Sequence, residues 1–226
     1  MNRIFTTDPG DAASYAARVA RHVPGLHDMH RMAEILLAEH VPETGRVLVL
    51  GAGGGMELRA FAQAHPGWRF DGVDPSPGMI AQAQEILGPD SAHVTFHHGY
   101  IDDAPGGPFD GATCLLTLHF LPREERLRTL RALHHRLLPG APFVVAHHSF
   151  PRGGDGEQYL WLRRNAGWLI AAGTPEAQAM AGIATMKERL PVLSPEEEQR
   201  LLTAAGFRDV QLFYAAFTFK GWVARA

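Results

Sequence analysis

Gly51, Gly53 and Gly55 alternate directly after the apolar run Arg46-Val47-Leu48-Val49-Leu50, and a helical pattern, Met56 to Ala64, follows them. Glycine has no Cβ, so a loop built from it can turn tightly and let a ligand approach the backbone. The dinucleotide fingerprint Gly-x-Gly-x-x-Gly is close but not met, because position 56 is Met and the third glycine falls one place early. Asp74 ends the next strand-like segment, about 20 residues beyond the loop, where a carboxylate can accept both hydroxyls of a ribose. No Gly-Lys-Ser/Thr follows the glycines, which argues against a nucleoside triphosphate.

The second set of chemistry-bearing residues is the histidines, 13 in all. The doublets His97-His98, His134-His135 and His147-His148 put neighbouring rings on opposite faces of a strand or about 100° apart on a helix. Neither arrangement aims two imidazoles at one ion, and there is no His-Glu-x-x-His or cysteine cluster, so no metal site is expected. His147 or His148 closes a strand and His119 follows another; each is a candidate general base as well as an ordinary hydrogen-bonded strand-end histidine. Tyr159, Trp161, Trp168 and Met180 form a stripe read as lid packing rather than as a substrate wall. Glu196-Glu197-Glu198 is read as a capped, solvated helix start.

These groups need a frame. Residues 11–41 are predicted helical with a break at Pro24-Gly25. Strands are predicted at 46–50, 68–73, 93–97, 109–116 and 143–146, with helices at 56–64, 78–87 and 122–138 between them. Strands alternating with helices give a parallel sheet with right-handed crossovers. Residues 151–192 interrupt the alternation as a helical insertion, two helices over 159–190 broken near Gly173-Thr174-Pro175. Ser194-Pro195-Glu196-Glu197 starts a further helix that ends at Ala205-Gly206, and strands at 210–214 and 217–223 close the chain. The expected organisation is a single domain, 1–226, with an N-terminal helical cap (1–45) and the insertion (151–192) as a lid.

Composition narrows the class. The chain has 226 residues, 46% of them hydrophobic, enough for a sizeable core. The longest apolar runs are strand-length, far short of the ~18 residues of a membrane span, and Met1-Asn2-Arg3-Ile4-Phe5 does not begin a secretory signal. The single Cys114 suits a reducing, cytoplasmic setting. A net charge of −3 without a Lys/Arg cluster disfavours nucleic acid as a partner.

Several segments resemble the motifs of class I S-adenosylmethionine-dependent methyltransferases: the glycine loop, Phe70 to Met79 around Asp74, Leu116-Thr117-Leu118-His119-Phe120-Leu121-Pro122, Leu137 to Ala141, and Ala204-Ala205-Gly206-Phe207. The resemblance implies a Rossmann-like three-layer α/β sandwich whose seven-stranded, mostly parallel sheet contains one antiparallel strand. It also implies S-adenosyl-L-methionine as cofactor and S-adenosyl-L-homocysteine as product. Gly51, Ala52, Gly53, Gly55, Asp74, Pro75, Met79, Tyr100, Ile101 and Leu115 fall at cofactor-binding positions.

Within that superfamily the chain more closely resembles the carboxy-S-adenosylmethionine synthases that serve tRNA wobble-uridine modification. Val23-Pro24-Gly25 through Gly51 keeps their spacing, as do Thr117-Leu118-x-Phe120-Leu121 and the Ala-Gly-Phe turn. It departs from them at Leu26, where they carry tyrosine, at Tyr100 in their Asp-Ile pair, at Leu115 for their asparagine, and near Thr185 for the arginine that holds the extra carboxylate. A buried carboxylate without its guanidinium is costly, so the expected reaction is methyl transfer to a small-molecule acceptor admitted under the lid. The synthase reaction and a non-catalytic S-adenosylmethionine-binding module are the alternatives, and a homodimer is left open.

Overall fold

The structure, a computed structural model, describes residues 12–226; the first part of the expected cap, 1–11, lies outside the described residues. Helices α1 (Ala12–His22) and α2 (Leu26–Ala38) precede β1 (Arg46–Leu50), α3 (Met56–Ala64), β2 (Arg69–Asp74), α4 (Pro77–Leu87), β3 (Val94–His98), β4 (Gly111–Leu115), α5 (Arg123–His134) and β5 (Pro142–His148). The insertion forms α6 (Asp155–Ala171) and α7 (Glu176–Arg189), and α8 (Pro195–Ala205), β6 (Arg208–Ala216) and β7 (Phe219–Arg225) complete the chain.

The seven strands make one sheet in the order β3-β2-β1-β4-β5-β7-β6. β1 to β5 pair in parallel, and β7 runs antiparallel to both β5 and β6. The one-antiparallel-strand architecture expected from the motifs is therefore the one present. β1, with β2 on one side and β4 on the other, is where the strand order reverses, so a crevice opens beyond Leu50 and Leu115 at the carboxyl edge.

Alternate residues of the buried strands feed two cores. Leu48, Cys114, Phe143, Val145 and Trp222 pack with α5 and α8 on one face. Val47, Val49, Leu115, Val144 and Ala146 pack with α2 and α3 on the other. A third, smaller cluster of Phe150, Leu162, Ala166, Ala179, Ile183 and Val192 holds α6 against α7, so the lid has its own apolar interior.

Local chemistry sets the helix ends. Ser194 Oγ accepts from Glu197 N–H while the Glu197 carboxylate accepts from Ser194 N–H, a reciprocal cap with Pro195 at the first position. Ser76 caps α4 ahead of Pro77 by a single bond, its Oγ accepting from Met79 N–H at 3.3 Å. Gly25, in the left-handed region at φ 66, turns the chain between α1 and α2 at the predicted break.

Several boundaries differ from the sequence reading. α5 stops at His134, where the periodicity suggested 138, because Leu137 leaves the helix to bridge Phe109 beside β4. The lid helix starts at Asp155 rather than Tyr159, and Glu157 reaches back to Gly153 N–H in its first turn. Short 3-10 turns at Gly88–His93, Ile101–Asp103 and Leu118–Phe120 carry no side-chain periodicity long enough to read. No described helix is long and apolar enough to cross a membrane.

Candidate functional site

The crevice at the carboxyl edge is built from the glycine loop upward. Gly51 and Ala52 donate their N–H groups to Val73 O at 2.8 and 3.1 Å, which fastens the loop to the end of β2. Asp74 then clasps two backbones at once: Oδ2 accepts from Gly53 N at 2.9 Å and Oδ1 from Ser76 N at 2.9 Å. Burial raises the Asp74 carboxyl above its ordinary range, and those two amide donors oppose the rise.

The glycines are required for different reasons. Gly51, Gly54 and Gly55 hold φ values of 83, 103 and 65, a region that side-chain-bearing residues avoid. Gly53 does not; a Cβ there would stand 2.5 Å from Asp74 Oδ2 and 2.7 Å from Met79 Cβ. Its requirement is room rather than backbone freedom. Gly54, outside the predicted set, faces Tyr15 of α1, whose Cε1 would lie 2.8 Å from an added Cβ. α1 therefore roofs the glycine loop, which a sequence pattern alone does not reveal.

The remaining predicted cofactor positions are distributed around this clasp. Pro75 is exposed and Met79 half-buried beside Gly53. Tyr100 is 50% exposed, its N–H capped by Asp103 Oδ2 at 2.8 Å. Ile101 and Leu115 are buried, and they belong to the cores on opposite faces of the sheet, so they are floor rather than reaching groups.

The loop after β4 closes the far side. Leu116 adopts φ 57 and turns the chain so that Thr117 packs on Gly51, where any Cβ would collide with its hydroxyl. His119, two residues on, is buried, and its Nδ1 accepts from the backbone N–H of His148 at 3.3 Å. Their rings meet edge-on with centroids 4.9 Å apart.

The three histidine candidates separate here. His148 ends β5, half-buried, stacked on Phe219 at 3.9 Å with Nδ1 3.0 Å from Thr218 Oγ1. Its Nε2 makes no hydrogen bond among the described residues. Burial, with His147 adding to it, pushes its pKa down to about 3.

His147, one residue earlier, points through the opposite face of the sheet. It is 1% exposed, with Nε2 3.0 Å from Glu198 Oε1 and its ring 5.7 Å from that of Trp222. Glu198 also binds Arg126, which is fully buried and donates to Leu121 O and Pro191 O. His147 thus joins α5, β5 and α8 in a buried polar cluster and is not brought to the crevice, so its candidacy as a base is withdrawn. Glu198, read from sequence as solvated, is likewise buried in this cluster.

One buried acid escaped the sequence reading. Glu57, in the first turn of α3, accepts from Thr113 Oγ1 at 3.0 Å, and burial raises its pKa to about 8. Nothing but its place two residues after the glycine loop could have flagged it. Among the described residues, no group of three or more His, Cys, Asp or Glu side chains is placed to hold a metal ion.

Of the predicted lid stripe, Tyr159 is exposed, Trp161 and Met180 pack on the lid's own core, and Trp168 Nε1 donates to Arg21 O of α1 at 2.8 Å. The lid is thereby tied to the helix that roofs the glycine loop.

Residues 48–143 match the family described as a methyltransferase domain. In sequence the chain is similar to a carboxy-S-adenosyl-L-methionine synthase of Haemophilus ducreyi, 24% identical across 97% of this chain and 91% of that one. A synthase of the same name from Chromohalobacter salexigens is 26% identical across 97% and 83%. Among solved structures, the CurJ carbon methyltransferase superposes with a TM-score of 0.67 at 16% identity, over 95% of this chain and 58% of that one. An O-methyltransferase family 2 protein from Planctomyces limnophilus, in complex with apigenin, gives 0.60 at 17% identity, over 98% and 63%. Human N-acetylserotonin methyltransferase, in complex with S-adenosylmethionine, gives 0.58 at 19% identity, over 84% and 50%. The chain spans less than two thirds of the length of each of these structures. It therefore has the Rossmann-like fold of the S-adenosylmethionine-dependent methyltransferases, a methyltransferase-domain match over residues 48–143, and carboxy-S-adenosyl-L-methionine synthases among its sequence relatives.

Proposed function

We propose that this protein transfers a methyl group from S-adenosylmethionine to a hydroxyl oxygen of a small molecule that enters beneath α6 and α7. The observation that carries the reading is the Gly53–Asp74 clasp at the point where the strand order reverses. A loop stripped of Cβ atoms leaves backbone open to a ligand, and each Asp74 oxygen keeps a second acceptor position for a ribose hydroxyl. The site therefore fits a nucleoside-bearing cofactor. Met79 lies beside Gly53, Tyr15 stands against Gly54, and Glu57 reaches Thr113 of β4.

When bound, S-adenosylmethionine supplies a methyl group on a sulfonium, a carbon already activated for displacement. What the chain must add is alignment, exclusion of water and a destination for one proton. α1 and the lid, joined through Trp168 and Arg21, cover the edge. His148 Nε2 takes the proton. The bound cofactor would supply the methyl carbon and retain the electron pair of its carbon–sulfur bond, and His148 Nε2 would receive the acceptor's O–H proton.

Burial keeps this imidazole unprotonated at neutral pH and so able to take a proton. A methylated, still protonated oxygen is a far stronger acid than that imidazolium, so the transfer runs downhill. A methylated ammonium is a weaker acid and would keep its proton. A hydroxyl acceptor uses this nitrogen as its proton sink, whereas a neutral amine would leave it without a task.

The sequence relatives favour a second reading, formation of carboxy-S-adenosylmethionine. Against it, the lid arginines Arg163, Arg164 and Arg189 are exposed, as is Thr185. Calorimetry with S-adenosylhomocysteine, followed by assay of its release with a panel of phenols, aliphatic alcohols and amines, tests the leading reading. Turnover on alcohols or phenols supports it; tight binding with turnover only on amines would overturn the choice of acceptor.

A further inference from the structure

We propose that the lid sets the proton of the strand-end base: Asn165 and Thr218 are positioning residues that hold His148 in the Nδ1–H form, leaving Nε2 as its bare nitrogen. The inference rests on the reading of His148 as the proton acceptor. It assigns a role to two residues outside the crevice motifs, one of them on the inserted helix α6.

The chain of hydrogen bonds has only one consistent direction. Asn165 is 5% exposed, and its Nδ2 lies 3.8 Å from Met186 Sδ on α7. A thioether can only accept, so the amide nitrogen belongs on that side and Oδ1 faces Thr218. Thr218 is fully buried and donates its single hydroxyl proton to Asn165 Oδ1 at 3.1 Å. With that proton committed, Thr218 Oγ1 can only accept from its other neighbour, His148 Nδ1 at 3.0 Å. His148 Nδ1 therefore carries the hydrogen, and Nε2 carries the lone pair.

The surroundings hold the ring in place. One face stacks on Phe219, and His119 meets it edge-on. His119 Nδ1 is itself an acceptor, from His148 N–H, so its own proton sits on Nε2. Two neighbouring imidazoles thus present opposite characters, a bare nitrogen on His148 and an N–H on His119. The ionisable groups that act on the two rings are His147 from β5 and, on His119, Arg126 from α5. No carboxylate hydrogen-bonds to His148 among the described residues.

The consequence is an interlock. α6 supplies Asn165, so movement of the lid away from the sheet removes the acceptor for the Thr218 hydroxyl. That hydroxyl is then free to donate to His148 Nδ1, which drives the ring hydrogen to Nε2 and removes the base. The base is armed only beneath a seated lid.

Nitrogen-15 labelling of the histidines and long-range proton–nitrogen correlation spectra, recorded with S-adenosylhomocysteine and assigned through a His148→Phe variant, read the tautomer without turnover. In the wild type, His148 should show a pyrrole-type Nδ1 and a pyridine-type Nε2. Thr218→Ser should keep that pattern, and Asn165→Asp should keep it because a carboxylate still accepts. Thr218→Val and Asn165→Leu should each move His148 to the Nε2–H form or a mixture. If Thr218→Val does not fold, Asn165→Leu alone decides. An Nε2–H wild-type ring, or a tautomer unmoved in the leucine variant, would overturn the inference. Failure of the wild type to bind S-adenosylhomocysteine would instead count against the methyl-transfer reading, with the tautomer still measurable in the free protein.

Discussion

Asp74 Oδ2 accepts the Gly53 N–H at 2.9 Å, so one carboxylate both shapes the glycine loop and stands at its ligand face. Removing it should cost twice. Asp74→Ala is expected to weaken S-adenosylhomocysteine binding by about 1.5–3 kcal/mol, the range for charge-assisted hydrogen bonds. Asp74→Asn should lose less, because its amide oxygen still accepts one bond. Isothermal calorimetry on both variants checks this, and wild-type affinity in both would place the ribose elsewhere.

Gly53→Val should abolish cofactor binding without unfolding the sheet. A Cβ at that position overlaps Asp74 Oδ2 and Met79 Cβ, so the clasp must open before the extra methyls are even placed. Circular dichroism should report a native fold while calorimetry reports no heat of binding. Heat like that of the wild type would show that the loop tolerates the displacement.

Glu57 and His30 give stability opposite pH slopes. Burial raises Glu57 from an ordinary 4.5 to about 8, so the folded chain holds a proton that the unfolded chain releases. Its contribution is complete below about 4.5 and is lost as pH climbs to about 8. Burial lowers His30 to about 4, so the unfolded chain binds the extra proton there, and stability falls as pH drops from 6.5 to about 4. Glu57→Gln keeps an acceptor for Thr113 without the ionisation. Chemical denaturation across pH should find the glutamine variant more stable than wild type near pH 8 and similar near pH 5. Parallel curves for the two proteins would mean that Glu57 is ionised in the fold.

Arg126, Glu198 and His147 should matter for stability and not directly for chemistry. Arg126→Met leaves the Glu198 carboxylate buried beside His147 with no guanidinium, a change that costs about 3–5 kcal/mol in comparable interiors. Arg126→Met combined with Glu198→Gln should recover part of that loss, since the uncompensated charge is gone. Urea midpoints of the single and double variants measure it. A double variant less stable than Arg126→Met alone would assign the cost to lost packing.

The parts legible in the sequence were those governed by local rules. The buried strand at 46–50, the alternation of strands and helices, the glycine loop, Asp74 at a strand end and the Ser194 cap follow from periodicity and turn chemistry, and the structure has them within a few residues of that reading. Which of two adjacent histidines faces the crevice was not legible. His147 and His148 differ by one step along a strand covered on both faces, so alternation assigns them to opposite sides without saying which side holds the ligand. The burial of Glu198 depends on Arg126 lying 72 positions away in sequence, and the Asn165–Thr218–His148 chain joins a lid helix, the β6–β7 turn and a strand end. Contacts of that separation leave no spacing to read.

The form of the cofactor is the last prediction. A carboxylated S-adenosylmethionine needs a cation for its extra carboxylate, and a guanidinium paired bidentately is the arrangement suited to a dry pocket. The buried guanidinium of Arg126 is already held by Glu198, Leu121 O and Pro191 O on the α5–α8 face of the sheet. In the lid, Arg163 and Arg189 are exposed, Arg164 lies over the Trp161 ring at 4.4 Å, and Thr185 offers only an exposed hydroxyl. Arg164 would have to give up the Trp161 contact to reach the crevice, and the uncarboxylated cofactor requires no guanidinium there. Mass spectrometry of ligand released from protein purified from bacterial cells should therefore detect S-adenosylmethionine or S-adenosylhomocysteine. Near-stoichiometric recovery of the carboxylated species would show that an arginine does reach the site, and would make the synthase the better reading.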